Sequence, residues 1–165
     1  MIAMIKRAIG EDLDLILQLI NESAKVYKGH IPSDRWHEPY MSLKELRKEI
    51  DQGVSFYSYF SNRRIIAVMG IQKVKDVTLI RHAYVSKGQQ RRGIGSKLLK
   101  YLLEIADTST VLVGTWEKAL WAIDFYERNG FSLVEMEEKN RLLMKYWDIP
   151  KRQVETSVVL KLNKS

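Results

Sequence analysis

The sequence predicts a single α/β domain, residues 1–165, in which helices flank a mixed, largely antiparallel sheet. Runs rich in β-branched and aromatic residues, which favour strands, are separated by stretches whose apolar residues recur at helical spacing. Two of these runs follow each other across a short turn, as in a hairpin. A chain of 165 residues without internal repeats or low-complexity tracts is typical of one domain.

The composition excludes several classes of protein. The chain has no cysteine, which rules out a disulfide scaffold, thiolate metal sites and a covalent acyl-cysteine intermediate. With only His30, His37 and His82, a dedicated metal centre is disfavoured. No apolar run reaches the length of a membrane span and charged residues soon interrupt the N-terminus, so we expect a cytoplasmic protein without membrane association.

The formal net charge of +7 raises the question of nucleic-acid binding. The basic residues are dispersed, however, and the sequence has no recognised nucleic-acid-binding motif. Much of the excess of positive charge lies between Lys87 and Lys97, around one glycine-bearing turn. A basic nucleic-acid-binding module is therefore the less favoured interpretation.

The N-terminal part of the chain predicts a strand followed by two helices. Residues 3–9 form the strand, and residues 11–25 form the first helix, whose first turn is acidic. Ser42, with Glu45 three residues later, is the N-cap pattern of a second helix that ends at Gly53.

The segment that connects these helices, residues 27–40, contains Gly29, Pro32 and Pro39, which prevent a continuous helix. Aromatic and ionisable residues crowd into it, which in a loop indicates a role in recognition. A second interpretation is that the aromatic residues pin the loop onto the core. The residues concerned are Tyr27, His30, Asp34, Trp36, His37, Glu38 and Tyr40.

The middle of the chain predicts a hairpin, a third strand and an anion-binding turn. Residues 54–60 and 64–74 form the hairpin, and residues 77–85 form the next strand. A turn then leads into a helix that begins near Arg92. The free N–H groups and the dipole of a helix N-terminus favour anions. Basic residues surround the turn, namely Lys87, Arg91, Arg92 and Lys97.

Two familiar phosphate-binding motifs do not fit this turn. A P-loop needs Lys where Ile94 stands, and the dinucleotide-binding fingerprint needs a third glycine where Leu98 stands. The Gln-x-x-Gly-x-Gly pattern of Gln90, Gly93 and Gly95 resembles the pyrophosphate loop of the GCN5-related N-acetyltransferases, the GNAT family.

A second motif lies downstream. Residues 111–114 predict a short strand, and a helix through Trp116, Leu120 and Ile123 follows it. The helix ends in a segment, Ala122 to Phe131, that is similar to the family's Ala-x-x-x-Tyr-x-x-x-Gly-Phe motif. With both motifs in the expected order, the chain is identified as a member of the GNAT family, with a GNAT-like domain.

The C-terminal part predicts two strands separated by a helix. Residues 131–136 and 157–162 form the strands, and Asn140 caps a short helix that Pro150 stops. Relative to the short loop that is usual in the resembling family, residues 140–149 are an insertion. Its role is left open between a lid, a wall of the acceptor pocket and the surface of a homodimer.

The resemblance implies an enzyme that transfers an acetyl group from the cosubstrate acetyl-CoA directly to a primary amine of a small molecule or protein. It further implies a sheet that splays at the cofactor, where the Ala83 N–H binds the thioester carbonyl. Tyr126 protonates the leaving thiolate, unless it only packs in the core. The implied cofactor-binding residues are Ala83, Tyr84, Val85, Gln90, Arg91, Arg92, Gly93, Ile94, Gly95, Ser96 and Tyr126.

The resemblance does not identify the base that deprotonates the amine. The positions where the family often carries one hold Leu79 and Arg81, and neither can serve. His82 should point away from the face of Arg81 because side chains alternate along a strand. We interpret it as a structural histidine, with a catalytic role as the less favoured alternative. The proton then leaves through a water chain or to a residue of the recognition segment, namely Asp34, His37 or Glu38.

A second departure from the family is Ala119, where an asparagine often contacts the pantetheine arm. Trp116 and Trp121 are candidates for replacement contacts, with core packing as their ordinary role. Together with the missing base, this departure keeps open a catalytically inactive acyl-CoA-binding regulatory protein. Asp34 and Glu38 are the one local hint of an acidic pocket for a cationic acceptor, which is too little to name a substrate.

Overall fold

The computed structural model describes residues 3–90 and 92–164. Within them, helices accompany a mostly antiparallel sheet of seven strands, which confirms the predicted fold class. The strands are β1 Ala3–Arg7, β2 Ser55–Ser61, β3 Arg64–Val74, β4 Val77–Val85, β5 Thr110–Trp116, β6 Ser132–Leu133 and β7 Ser157–Asn163. The α-helices are α1 Leu13–Ser23, α2 Leu43–Asp51, α3 Ile94–Ile105, α4 Leu120–Arg128, α5 Met136–Tyr146 and α6 Lys151–Glu155.

The chain divides into two compact units, and β3 and β4 contribute residues to both. The first unit comprises the chain up to Val26, His37–Gln72 and Ile80–Ala106. The second unit comprises Tyr27–Trp36, Lys73–Leu79 and the chain from Asp107.

The first unit contains the strand order β1-β2-β3-β4 and the helices α1, α2 and α3. β1 pairs antiparallel with β2, and β2 pairs antiparallel with β3. Asn62 and Arg63, which connect β2 to β3, both have positive φ, of 51° and 65°. Two successive positive φ angles are the geometry of a type I′ turn, whose twist matches that of the flanking strands. The predicted hairpin is therefore confirmed.

The helix α2 begins where its cap predicts. The Ser42 hydroxyl accepts a hydrogen bond from the Glu45 N–H at 3.1 Å, so it satisfies one of the unpaired donors of the first turn. Leu46 is fully buried on the inner face of this helix. The helix ends at Asp51, two residues before Gly53 with its φ of 104°. This cap fixes the start of the helix that carries Glu49.

The second unit contains the strands β5, β7 and β6 in that order, with β5 and β6 both antiparallel to β7. Trp116 is the last residue of β5 and pairs with Ser157, so the prediction that it lies in the following helix is wrong. Its indole and the preceding threonine favour an extended backbone, and the ladder to β7 continues through it. The helix α4 begins only at Leu120.

The prediction of a strand over residues 131–136 is also wrong in part. Only Ser132 and Leu133 form a strand, and α5 begins at Met136, so Asn140 lies inside this helix and does not cap it. Two acidic residues in the first turn, Glu137 and Glu138, suit the positive end of the helix dipole.

The helix α5 is part of the core of the second unit. Leu142, Leu143 and Tyr146 recur at helical spacing and are buried. A Cβ atom added to Gly114 in β5 would lie 3.4 Å from the Trp147 ring, so that indole rests on the glycine. The other buried members of this cluster are Val77, Leu79, Leu112 and Val159. At least part of the insertion therefore completes the core.

Candidate active site

The turn after β4 is held together by the side chain of Gln90. Its amide nitrogen donates to the Val85 carbonyl at 2.9 Å, and its amide oxygen accepts from the Gly88 N–H at 3.1 Å. The Gln89 N–H donates to the Ser86 carbonyl at 3.0 Å. Gly88 has a φ of 87°, an angle that residues other than glycine rarely adopt. The Gln90 side chain thus stabilises the turn, because both its amide nitrogen and its amide oxygen are hydrogen-bonded to the backbone of the turn.

The N-terminus of α3 is open to an anion. Gly93 occupies the N-cap position with a left-handed φ of 75°, and no side chain caps the helix. The Lys97 N–H donates to the Gly93 carbonyl, so the N–H groups of Ile94 and Gly95 have no acceptor within the helix. A Cβ atom at Gly93 would meet no atom within 4 Å. Glycine is therefore favoured at position 93 by its backbone angle and not by lack of space. This angle sets the direction of the N–H groups that follow.

A basic cleft of about 200 Å³ adjoins this turn. Three of its lining residues are cationic, Arg64, Lys87 and Arg92, and no carboxylate lines it or contacts them among the described residues. Arg92 instead donates to the Gln89 side chain at 2.8 Å. The predicted residue Arg91 lies outside the described residues. The full lining consists of Ser61, Asn62, Arg64, Ile65, Ile66, Ser86, Lys87, Gln89 and Arg92.

The strand β4 carries a charged cluster that the sequence did not predict. The Glu49 carboxylate, on α2, lies 3.1 Å from Nη2 of Arg81 and 2.8 Å from Nε2 of His82. The prediction that the Arg81 and His82 side chains point to opposite faces is therefore wrong. His82 has a φ of 54°, so the extended backbone is interrupted there and the alternation of side chains fails.

The surroundings hold Glu49 ionised. Burial alone would raise the pKa of this carboxyl, but the hydrogen bond and charge of His82, together with the charge of Arg81, outweigh it and hold the pKa below its ordinary value. Arg81 is fixed in turn by a hydrogen bond from Nη1 to the Gln72 side chain at 3.1 Å. The ring of Phe56 stacks on His82, with centroids 5.9 Å apart.

This lowered pKa predicts a contribution of Glu49 to stability that depends on pH. Because the folded-state pKa lies below the ordinary value of 4.5, the contribution is complete above that value and is lost as pH falls through the lowered pKa. Glu49→Gln should lower the free energy of unfolding by about 1–3 kcal/mol at pH 7, and this difference should shrink below the ordinary carboxyl range.

Denaturant unfolding at a series of pH values measures this difference. Asp51→Asn removes an exposed carboxylate from the same helix and should change stability by less than about 0.5 kcal/mol at every pH. A Glu49→Gln variant whose deficit stays constant from pH 7 to pH 3 would show that the ionised carboxylate does not stabilise the fold.

Tyr126 lies in the second unit and is buried at the end of α4, with 5% of its surface accessible. Its ring is T-shaped to those of Phe125 and Phe131, at centroid distances of 5.0 and 5.6 Å. None of the described residues makes a hydrogen bond to its phenol. Burial, followed by the nearby Tyr27, raises the pKa of Tyr126 well above its usual range. Gly130, with a φ of 91°, ends the helix as the second motif predicts.

The predicted recognition segment is divided between the two units. In the second unit, Trp121 contacts Tyr27 and His30, at ring-centroid distances of 5.9 and 5.0 Å. Asp34 is 3.5 Å from the guanidinium of Arg152, so this carboxylate already has a cationic partner.

Residues 37–40 of the same segment belong to the first unit, where His37 stacks on Tyr40. Ala119, the site of the missing asparagine, is buried immediately before α4.

The comparison with known families decides the identity. Residues 19–144 match the protein-family model of the acetyltransferase (GNAT) domain. The chain belongs to the GNAT family of acetyltransferases. This confirms the family predicted from the two motifs, the enzyme class and the family's cosubstrate, acetyl-CoA.

Solved structures of GNAT proteins share the fold over the whole chain. The PaiA N-acetyltransferase of Thermoplasma acidophilum, solved with coenzyme A, is 18% identical, with 99% of each chain covered and a TM-score of 0.76. A GNAT acetyltransferase of Staphylococcus aureus Mu50 is also 18% identical, with 99% of this chain and 100% of that chain covered and a TM-score of 0.75.

The ribosomal-protein-S18-alanine N-acetyltransferase of Escherichia coli is more distant. It is 17% identical, with 99% of this chain and 95% of that chain covered and a TM-score of 0.69.

Two features are absent from the described part of this GNAT chain. Across residues 3–90 and 92–164, no helix is long and apolar enough to span a membrane. The same residues contain no group of three or more histidine, aspartate or glutamate side chains that could hold a metal ion.

Sequence reasoning missed Glu49. No local sequence pattern indicates that Glu49 pairs with residues of β4. Only the packing of α2 on β4 identifies it.

Proposed function

We propose that this GNAT acetyltransferase binds acetyl-CoA at the turn of residues 88–96 and transfers the acetyl group directly to a primary amine in a ternary complex. The observation that carries the proposal is the uncapped N-terminus of α3 behind the left-handed Gly93. The cationic cleft beside it, without a carboxylate in its lining, adds to the attraction for an anion. In this proposal, residues 1–165 work as one acetyltransferase domain.

The diphosphate of CoA would lie on backbone N–H groups from Gln90 to Ser96, with Arg91 and Arg92 supplying charge. Backbone donors and guanidinium groups both suit phosphate oxygens. The pantetheine arm would pair with the backbone of β4 at Ala83, Tyr84 and Val85, like an added strand. The Ala83 N–H would then donate to the thioester carbonyl and stabilise the negative charge that develops there.

Tyr126 would protonate the thiolate that leaves. Its ring is buried, and its hydroxyl makes no hydrogen bond to a described residue, so the hydroxyl is available to donate to a sulfur atom. The raised pKa keeps the phenol protonated until a strong acceptor forms. It also makes complete proton transfer more uphill, so we assign Tyr126 to hydrogen bonding with the developing thiolate, followed by proton transfer as the C–S bond breaks.

The acceptor is a primary amine, and its identity is a matter for screening. The E. coli neighbour is named for a protein alanine as its acceptor, whereas the names of the other two neighbours give no acceptor. We therefore propose a panel that spans both kinds of amine, namely 1,4-diaminobutane, lysine methyl ester and a peptide that begins with alanine.

Release of free CoA thiol from acetyl-CoA, measured with each panel amine, tests the proposal. The expected result is amine-dependent release, with mass spectrometry showing an added acetyl group on the amine. Saturable acetyl-CoA binding without release for any amine of the panel would favour the catalytically inactive regulatory protein. Failure to bind acetyl-CoA, with salt-dependent binding of an oligonucleotide, would favour the basic nucleic-acid-binding module.

A further inference from the structure

The cluster of Glu49 and His82 leaves one nitrogen of the imidazole unused. The Glu49 carboxylate lies 2.8 Å from Nε2 of His82, and an ionised carboxylate can only accept a hydrogen bond. Nε2 must therefore carry a proton, which in the neutral imidazole leaves a lone pair on Nδ1. Within residues 3–90 and 92–164, no group is hydrogen-bonded to Nδ1. About 18% of the side chain is accessible, so a small proton donor can reach it.

The carboxylate that sets this tautomer is itself held in place. Arg81 binds Glu49 through Nη2 and the Gln72 side chain through Nη1. Gln72 in turn donates to the carbonyl of Gln52, which immediately follows α2, at 3.0 Å. A chain of hydrogen bonds therefore connects β3, β4 and the end of α2 around the imidazole. Such a network fixes the orientation of a histidine as well as its tautomer.

The backbone at His82 also indicates that the imidazole is held in a fixed orientation. A φ of 54° is uncommon for a residue other than glycine and is unfavourable within a strand. Regular alternation would direct His82 away from the face of Arg81, and the irregular angle brings the imidazole to the same carboxylate. The charged groups that face the imidazole are Glu49 from α2 and Arg81 from β4 itself, while β2 contributes the apolar ring of Phe56.

We propose that Nδ1 of His82 accepts the proton of the acceptor amine during acetyl transfer, and that Glu49 is the positioning residue that holds the required tautomer. The proposal rests on the proposed function. His82 directly precedes Ala83, whose N–H is the proposed donor to the thioester carbonyl. The base and the carbonyl-binding group would thus be consecutive residues of one strand.

The proposed step conserves atoms and charge. Nδ1 takes one proton from the ammonium form of the acceptor, and the amine nitrogen forms a bond to the acetyl carbon. After the second N–H proton leaves to solvent, the C–S bond breaks and the thiolate receives a proton from Tyr126, which is reprotonated by solvent. The imidazolium then returns its proton to solvent. The net products are the acetylated amine, free CoA thiol and one released proton.

His82→Asn tests the proposal without forcing the backbone, because asparagine tolerates a positive φ. We expect kcat with the most active panel amine to fall about 100-fold or more, while the dissociation constant for acetyl-CoA changes less than about threefold. Glu49→Gln should lower kcat about 10- to 100-fold, as expected for loss of a group that orients a catalytic side chain. Asp51→Asn, at an exposed position of the same helix as Glu49, is the matched control and should keep full kcat.

A spectroscopic readout is independent of turnover. With only three histidines in the chain, ring ¹⁵N spectra can be assigned from His30→Gln and His37→Gln. The neutral form of His82 should carry its proton on Nε2 and none on Nδ1, and Glu49→Gln should weaken this preference. A neutral form with its proton on Nδ1, or full kcat in His82→Asn, would overturn the proposal. Failure of the proposed function is distinct, since the wild-type protein itself would then release no CoA.

Discussion

Tyr126→Phe should lower kcat at least about 100-fold and leave the dissociation constant for acetyl-CoA within about threefold of the wild-type value. The substitution removes only the hydroxyl, so the ring keeps its contacts with Phe125 and Phe131. No described residue bonds that hydroxyl, and its loss should therefore leave the melting temperature unchanged or slightly raised. A lower kcat with an unchanged melting temperature is the result expected if Tyr126 is the proton donor.

Tyr146→Phe is a suitable control for this experiment. Tyr146 is a second buried tyrosine of the same unit, and its hydroxyl donates to Asp76 at 2.7 Å. Its removal should cost about 1 kcal/mol of stability and leave kcat unchanged. If Tyr126→Phe instead keeps full kcat, then Tyr126 packs in the core, as its contacts with Phe125 and Phe131 also allow, and the thiolate is protonated by another group.

Leu143→Ala should lower the free energy of unfolding by about 2–5 kcal/mol. The Leu143 side chain is 1% exposed and packs in the cluster that includes Leu112 and Val159. Truncation would leave a cavity that the neighbouring side chains fill only in part. Met144→Ala, one residue further along the same helix, is the control, because Met144 is 78% exposed and should change stability by less than about 0.5 kcal/mol.

Denaturant unfolding of these two variants distinguishes a core element from a lid, which is one of the roles that the sequence left open for the insertion. If α5 is a core element, Leu143→Ala is strongly destabilised and Met144→Ala is not. If α5 were instead a lid that closes over a ligand, both variants would have nearly wild-type stability and differ only in turnover. Equal stability of the two variants would therefore contradict the packing of α5.

The sequence predicts those parts of the fold that short-range chemistry determines. β4 has the predicted bounds, Val77–Val85, because its β-branched residues are followed at once by the glycine-bearing turn. Ser42 caps α2 through a bond to a neighbour three residues away. The Gln90–Gly93–Gly95 pattern is similarly local, and the family model confirms the membership that it predicts.

Predictions that depend on packing between distant segments are less accurate. The β6 strand ends at Leu133 rather than 136, because the following residues complete a core through α5. At His82 the backbone angle overrides the alternation on which the sequence argument relied. Glu49 reaches His82 from 33 residues earlier in the chain, and no local pattern indicates that pairing. The sequence left His82 as a less favoured candidate for the base, and its pairing with Glu49 required the structure.

Calorimetric titration with acetyl-CoA tests the central claim most directly, with the wild-type protein, Arg92→Glu and Lys100→Glu compared. Lys100 is an exposed residue of α3 outside the turn and provides the matched charge reversal. We predict saturable binding to the wild-type protein, a loss of at least about tenfold in affinity for Arg92→Glu and nearly full affinity for Lys100→Glu. Absence of binding to the wild-type protein, or equal affinity for all three, would contradict the assignment of the turn to the CoA diphosphate.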